Sequence, residues 1–523
     1  MTLLPTYHKA KEHFYNRPAY YLLLLSLVVA AFFRFYRLDV LPPGLHPDEA
    51  ANGLDIIRML EQGDFRVIYN TNGPRESLFF FLQMIGVLIF GYTQLALRVA
   101  PALVGVLSVY VTYLLTKEWF SRRTALIAAF LMAINSWTVI INRDGFRANL
   151  VILFIPLTLW AYTKAFRTKS LKWFGIAGAS LGLGFYTYIS FRAFIAVLIF
   201  SGLVAVIKNR KVVREYAKSV AFSLLVMLLI LIPLGIHGIS YPDEVLGARS
   251  STSILNPDLN DGSPLKTLGL NIVKTALMFF YKGDQNFRHN LGGEPMLDPF
   301  TGISMLGGIL YCLYNIKKSK YMILLAWFGA LLLPVVLTAE GIPHGLRAVG
   351  VIPVVFILAG IGADYFVKKW YTSFPFNKFV RNAGIGLVML LMLTGAILNY
   401  QRVFVAWAEA AQTRKAYAED MVAVADYLKS NPDQNYVLVV GEYGEKTVQF
   451  LTHKSRVKYQ RVEQRDIKKL SLAAGKYSFI IQDDWYDDAI KDLKQKYGQG
   501  RVSPRISEVS NDKLFYIYSG EVK

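Results

Sequence analysis

Apolar runs long enough to cross a lipid bilayer recur from Tyr20 to about Tyr400, and few folds are open to a chain with that pattern. The strong runs are Tyr20–Phe35, Val99–Thr116, Ala125–Ile141, Leu150–Phe166, Trp173–Tyr188, Phe194–Ile207, Val220–Ile239, Thr301–Ile316, Tyr321–Thr338, Ala348–Phe366 and Ala383–Asn399. In hydrocarbon each backbone N–H and C=O must be paired within its own segment, so these runs predict helices. With 54% hydrophobic and only 18% charged residues, an ordinary soluble enzyme and a disordered chain are both excluded. Cys312 is the only cysteine, which excludes a disulfide-stapled fold. The expected class is a polytopic α-helical membrane protein.

Charge sets the orientation. One further run, Leu78–Tyr92, is short enough to lie at the surface instead of crossing. If it does not cross and the N-terminus is cytoplasmic, five basic clusters fall on the inner side. They are Lys117/Arg122/Arg123, Lys164/Arg167/Lys169/Lys172, Lys208/Arg210/Lys211/Arg214/Lys218, Lys317/Lys318/Lys320 and Lys368/Lys369/Lys378/Arg381. A crossing helix would turn all five outward. The reading is therefore eleven spans plus a helix on the outer surface. Lys9, Lys11 and Arg17 precede the first run, but Arg34 and Arg37 close it without a small-residue cleavage site, so it reads as an uncleaved helix.

The outer regions are then 36–98, a turn near 142–149, the loop 240–300 and everything after Asn399. The net charge of +20 does not signal nucleic acid, because the tail after residue 400 nets only +3 and the rest sits in links between spans. Residues 401–523 read as a separate small α/β domain. Helices are expected at Tyr417–Lys429 and Asp487–Tyr497, and strands at Tyr436–Val440, Tyr477–Gln482 and Lys513–Tyr518.

Candidate chemistry collects on the outer side. Gly44-Leu45-His46-Pro47-Asp48-Glu49 places two adjacent carboxylates after a proline-rich approach. One could take a proton from a hydroxyl while its neighbour tunes it or holds a divalent cation. Asp48 equally suits the N-cap of a helix, and the two roles are compatible. Arg98 opens the next span, where arginines commonly snorkel to headgroups. Arg143 and Arg147 lie four residues apart, a spacing that suits a phosphate, with pairing to Asp144 as the alternative. Tyr188 and Arg192 resemble an aromatic belt with one cation. Arg288, His289 and Glu294 stand in a polar, glycine-rich stretch of the long loop, and His344 and Arg347 follow in a later one. No His/Cys cluster completes a zinc site in the sequence.

The acidic pair in a large first outer loop, the short surface helix behind Asn72-Gly73-Pro74-Arg75 and Arg98 at the next span resemble the polyprenyl-phosphate-dependent glycosyltransferases of the GT-C class. The likeness is to the protein O-mannosyltransferase and lipid A aminoarabinose transferase superfamily (glycosyltransferase family 39 and relatives), over about residues 15–400. It implies a catalytic Asp48 with Glu49 as its partner, and a donor phosphate met by Arg98, Arg143, Arg147, Arg347 and His289. Arg75, Tyr188, Arg192, Arg288, Glu294 and His344 are further candidates for donor or acceptor contacts. Relatives often carry a His-Pro-Pro or Lys-Pro element where this chain has Asn72-Gly73-Pro74-Arg75. The implied partners are a polyprenyl-phosphate sugar, membrane lipids and a protein, lipid or glycan acceptor, with no obligatory cofactor and no nucleic acid. A lipid or glycan transporter and a non-catalytic scaffold are the competing classes. Transporters, however, usually hold ionisable groups at mid-membrane on repeated halves, and neither is visible here.

Overall fold

The computed structural model describes residues 4–244, 252–260, 262–507 and 512–522, with side chains from residue 18 onward. Two compact units emerge. The first comprises Met1–Tyr36, Pro74–Phe79 and Pro101–Val405; the second comprises Arg37–Gly73, Phe80–Ala100 and Ala406–Lys523. Residues 37–73 and 80–100 thus fall in the same unit as the tail.

The first unit is helical. Among the described residues eight helices are long and apolar enough to span, and a ninth is the bent pair Arg122–Ile134 and Ser136–Asn142. The remaining two of the eleven expected runs form the shorter helices Leu171–Gly184 and Pro299–Tyr314. Small residues let these helices approach closely, the usual device where lipid removes the hydrophobic drive. A Cβ on Gly308 would sit 1.9 Å from the Leu358 carbonyl oxygen, and one on Gly362 1.9 Å from that of Ser304. Helix Pro299–Tyr314 therefore packs backbone to backbone on Ile352–Ser373.

The bent pair turns by 62° at Asn135 with no proline present. Several of the groups at the break find partners in the protein. The Asn135 side chain caps Thr138 N–H at 3.3 Å and donates to Met296 O at 3.0 Å. Ser136 N–H donates to Asn399 Oδ1 at 2.8 Å, and the buried Arg34 donates to Ala133 O at 2.9 Å. Such a break is tolerated at membrane depth because protein satisfies it. Asp364, buried in its helix, pairs with the half-exposed Arg123 and with Lys368 at 2.8 Å.

In the second unit the tail forms a five-stranded sheet. Its strands are β1 (Tyr436–Val439), β2 (Tyr459–Val462), β3 (Gly475–Gln482), β4 (Arg501–Ile506) and β5 (Lys513–Val522). The order is β2-β1-β3-β5-β4, with β1 parallel to β2 and β3, and β5 antiparallel to β3 and β4. The apolar strands β1, β3 and β5 stand as expected from sequence. The two edges, β2 and β4, carry no apolar run, and Pro504 in β4 suits an edge that needs no inward N–H. Helices Glu419–Ser430 and Tyr486–Tyr497 cover the sheet, the latter burying Ala489, Ile490 and Leu493.

Candidate active site

The acid pair lies in the second unit, at the start of helix Pro47–Gln62. Pro47 pre-sets the first helical position. The N-cap is His46, whose Nδ1 accepts from Asp48 N–H at 3.0 Å. Asp48 is therefore one step inside the first turn and does not cap the helix, so its carboxylate is left to other partners. Tyr443 donates its hydroxyl to Asp48 Oδ1 at 2.7 Å, and the Asn72 amide donates to the same oxygen. About a third of the Asp48 side chain remains exposed, 34%.

Glu49 is spent differently. Its side chain is 1% exposed and that of Arg98 0%, with Arg98 Nη2 at 3.1 Å and Nε at 3.3 Å from the two carboxylate oxygens. Arg98 also donates to the carbonyls of Pro42 at 2.8 Å and Gly44 at 2.6 Å. This guanidinium knots the loop before the acid helix. Gly44 must be glycine at that knot, since its φ is +87° and a Cβ would meet Tyr417 O at 2.4 Å. The tail helix Glu442–Thr452 packs on the acid helix where Gly53 leaves room for the Phe450 ring, and Thr447 donates to Leu45 O at 2.8 Å. Tyr443 reaches Asp48 from that tail helix, nearly 400 residues along the chain, and no local signal in the sequence marks it.

The other candidates lie in the first unit. Arg143 is buried and donates to the carbonyls of Phe33 at 3.0 Å, Arg34 at 3.1 Å and Tyr36 at 2.9 Å, closing the end of the first helix. It does not pair with Arg147 on a shared helical face, because the helix ends at Asn142. Arg147 instead forms an ion pair with Glu76 at 3.1 Å and lies 5.7 Å from the centroid of the Tyr188 ring. Arg75 is buried in the same short segment as Glu76, and Arg192 is half-buried in the turn Ile189–Ala193. Arg347 donates to Thr338 Oγ1 and Glu340 O, each at 2.8 Å. Glu294 is exposed beside Arg402 at 3.6 Å.

His289 and His344, from two separate loops, are brought together with ring centroids 4.8 Å apart. Asp284 accepts from His289 Nδ1 at 2.8 Å and from Gly345 N–H at 2.6 Å. His289 is 2% exposed, yet its Nε2 has no hydrogen-bond partner among the described residues. Burial lowers the pKa of both imidazoles, that of His344 to about 3. A neutral imidazole is a poor phosphate ligand by charge and a good metal ligand. Asp284, His289 and His344 offer one donor atom each within 4.8 Å, a set that suits a zinc-like ion. No such cluster was expected from the sequence. At Asp48/Glu49, where a cation was considered, Arg98 occupies the Glu49 carboxylate. No cofactor is established by either arrangement. Arg288 lies 5.9 Å from the Phe146 ring centroid in the same region.

Comparison with known proteins agrees with this architecture. Residues 76–237 match the family model of dolichyl-phosphate-mannose-protein mannosyltransferases. Two Bacillus subtilis (strain 168) proteins named as candidate mannosyltransferases are similar in part: YkcB, 37% identical over 106 residues, and YycA, 27% identical over 172 residues. The matches cover 20% and 31% of this chain and only 15% and 24% of those relatives' own length. ArnT from Cupriavidus metallidurans, solved bound to undecaprenyl phosphate, superposes with a TM-score of 0.55 at 15% identity, covering 95% of this chain and 97% of that one. The Archaeoglobus fulgidus oligosaccharyltransferase AglB, in complex with an inhibitory peptide and a dolichol-phosphate, gives 0.54 at 16%, covering 97% and 74%. The same enzyme with zinc and sulfate gives 0.54 at 15%, covering 94% and 72%. The chain therefore shares the fold of these membrane transferases, and its residues 76–237 resemble the mannosyltransferase family.

Proposed function

We propose that the protein is an inverting glycosyltransferase that moves a sugar from a polyprenyl-phosphate carrier to an acceptor hydroxyl at the outer face of the membrane. The observation that carries this reading is Asp48, a partly exposed carboxylate held at a helix start by Tyr443, Asn72 and the His46 cap. In the proposed step the acceptor oxygen attacks the anomeric carbon from the face opposite the leaving group. Its proton passes to Asp48, and the bond from the anomeric carbon to phosphate oxygen breaks with its electron pair leaving on the polyprenyl phosphate.

The buried Glu49–Arg98 pair acts here as a positioning pair for the helix that carries Asp48. Arg147 and Arg347, which keep polar partners that a phosphate could replace, are the groups proposed to meet the donor phosphate. Arg143 holds backbone carbonyls and acts through structure. A bound divalent cation would be held by His289 and His344 with Asp284 orienting the first ring, and would supply a fixed positive charge there. Support for the carrier comes from the neighbours, solved with undecaprenyl phosphate and with dolichol-phosphate. The basic clusters support a cytoplasmic N-terminus and an outer tail.

The test is mass spectrometry of envelope glycans and glycoconjugates from a deletion strain complemented in parallel. Wild-type protein should restore the lost modification and Asp48→Asn should not. Restoration by Asp48→Asn overturns the reading, as does a deletion strain with unchanged glycans.

A further inference from the structure

The second unit holds a cleft of about 510 Å³ that the mechanism above leaves unused. It opens at the carboxyl ends of the two central parallel strands. Gly441 lies just beyond β1, Gln482 ends β3, and Asp483 and Asp484 follow it. From β1 the chain crosses to β2 on one side, then returns to β3 on the other, so the crossovers diverge between β1 and β3. Divergence at such a switch point leaves a crevice that open α/β sheets use for ligands.

Two lining residues join this cleft to Asp48. His46 and Tyr443 both border it, and both hydrogen-bond Asp48, one to its N–H and one to its carboxylate. We propose that the cleft seats the acceptor and that the seated group is an unphosphorylated carbohydrate, a claim that rests on the glycosyltransferase reading of Asp48. Five carboxylates against three cations line the walls, an excess that repels a phosphate and accepts hydroxyl protons. Asp420 is the anchor of that set. Gln482 Nε2 donates to it at 3.2 Å, and burial pushes its pKa up to about 6, which leaves it ionised at neutral pH. The exposed Tyr443 ring adds a flat apolar face of the kind a pyranose stacks on, and the volume falls within the usual range for small-ligand sites. A peptide bound by strand addition would need a sheet edge, whereas this cleft stands over central strands.

The experiment uses full-length protein and the deletion strain described above. Asp483 and Asp484 are exposed, so Asp483→Asn with Asp484→Asn should leave folding intact, and Asp420→Asn keeps an oxygen for Gln482. Each set should lower the restored modification at least tenfold, while purified protein keeps its wild-type melting temperature and its affinity for added undecaprenyl phosphate. The modified acceptor, identified from the same spectra, should be a glycan. Full restoration by both sets overturns the cleft as acceptor site. Loss of lipid binding or of stability in both sets overturns it too, by assigning these residues to donor or fold. A modified protein side chain or phosphorylated lipid headgroup overturns the carbohydrate. A deletion strain with unchanged glycans refutes the glycosyltransferase reading instead, and so separates the two failures.

Discussion

Replacing Arg98 by methionine removes the positive half of an ion pair whose side chains are 0% and 1% exposed. Methionine retains much of the stem's apolar packing, so the loss is chiefly electrostatic. Breaking one side of a buried pair costs about 3–5 kcal/mol, because the remaining buried charge loses its counter-ion. The carbonyls of Pro42 and Gly44 lose donors as well, which places the cost toward the upper end of that range. At about 2–4 °C per kcal/mol for a unit of 150–250 residues, the melting temperature should fall by about 6–20 °C. Differential scanning fluorimetry in detergent reads this directly. Arg98→Met combined with Glu49→Gln should recover part of the loss, because the amide no longer carries an uncompensated charge. If the double variant melts no higher than Arg98→Met alone, the buried pair is not what holds the loop, and the positioning role given to it fails.

Tyr443→Phe should slow transfer severalfold, since Asp48 loses a hydrogen bond that positions its carboxylate; an unchanged rate would separate the two groups. Gly362→Leu should destabilise the membrane unit by several kcal/mol, seen as a lower melting temperature, because the added side chain meets the Ser304 carbonyl. His289 and His344 have folded pKa values below 6.5, so the stability they confer is complete above that pH and is lost as pH falls toward the folded values, about 3 for His344. Burial drives both shifts, Arg288 and Arg347 add to them and Asp284 opposes. Melting temperature should therefore fall between pH 6.5 and 4 more steeply in wild type than in His344→Gln, and equal slopes would contradict the assignment. Zinc added to purified protein should raise the melting temperature of wild type and leave that of His289→Ala/His344→Ala unchanged.

Much of the membrane architecture could be read in advance because it depends on local rules. A span needs only length and hydropathy, and all eleven expected runs became helices, two of them shorter than a bilayer asks. The strands β1 and β3 declared themselves for the same reason, as buried apolar runs, and β5 by its strand-like alternation. Edge strands β2 and β4 did not, because an edge buries too little to need such a run. Asp48 was visible as an unusual acid after Pro47, though the helix cap is His46, a choice made by side-chain geometry two residues away.

What stayed hidden depends on pairings across long stretches of chain. The sequence determined that there is a helical bundle, a small α/β tail and an acid pair between the first two long apolar runs. Only the tertiary structure decided that Glu49 belongs to Arg98, that Arg143 serves backbone carbonyls and that Tyr443 of the tail reaches Asp48. It alone brought His289 and His344 to one place beside Asp284, from loops that share no pattern. Helices and strands follow from periodicities of a few residues, whereas a charge takes whichever partner the fold delivers, and burial makes that partner obligatory.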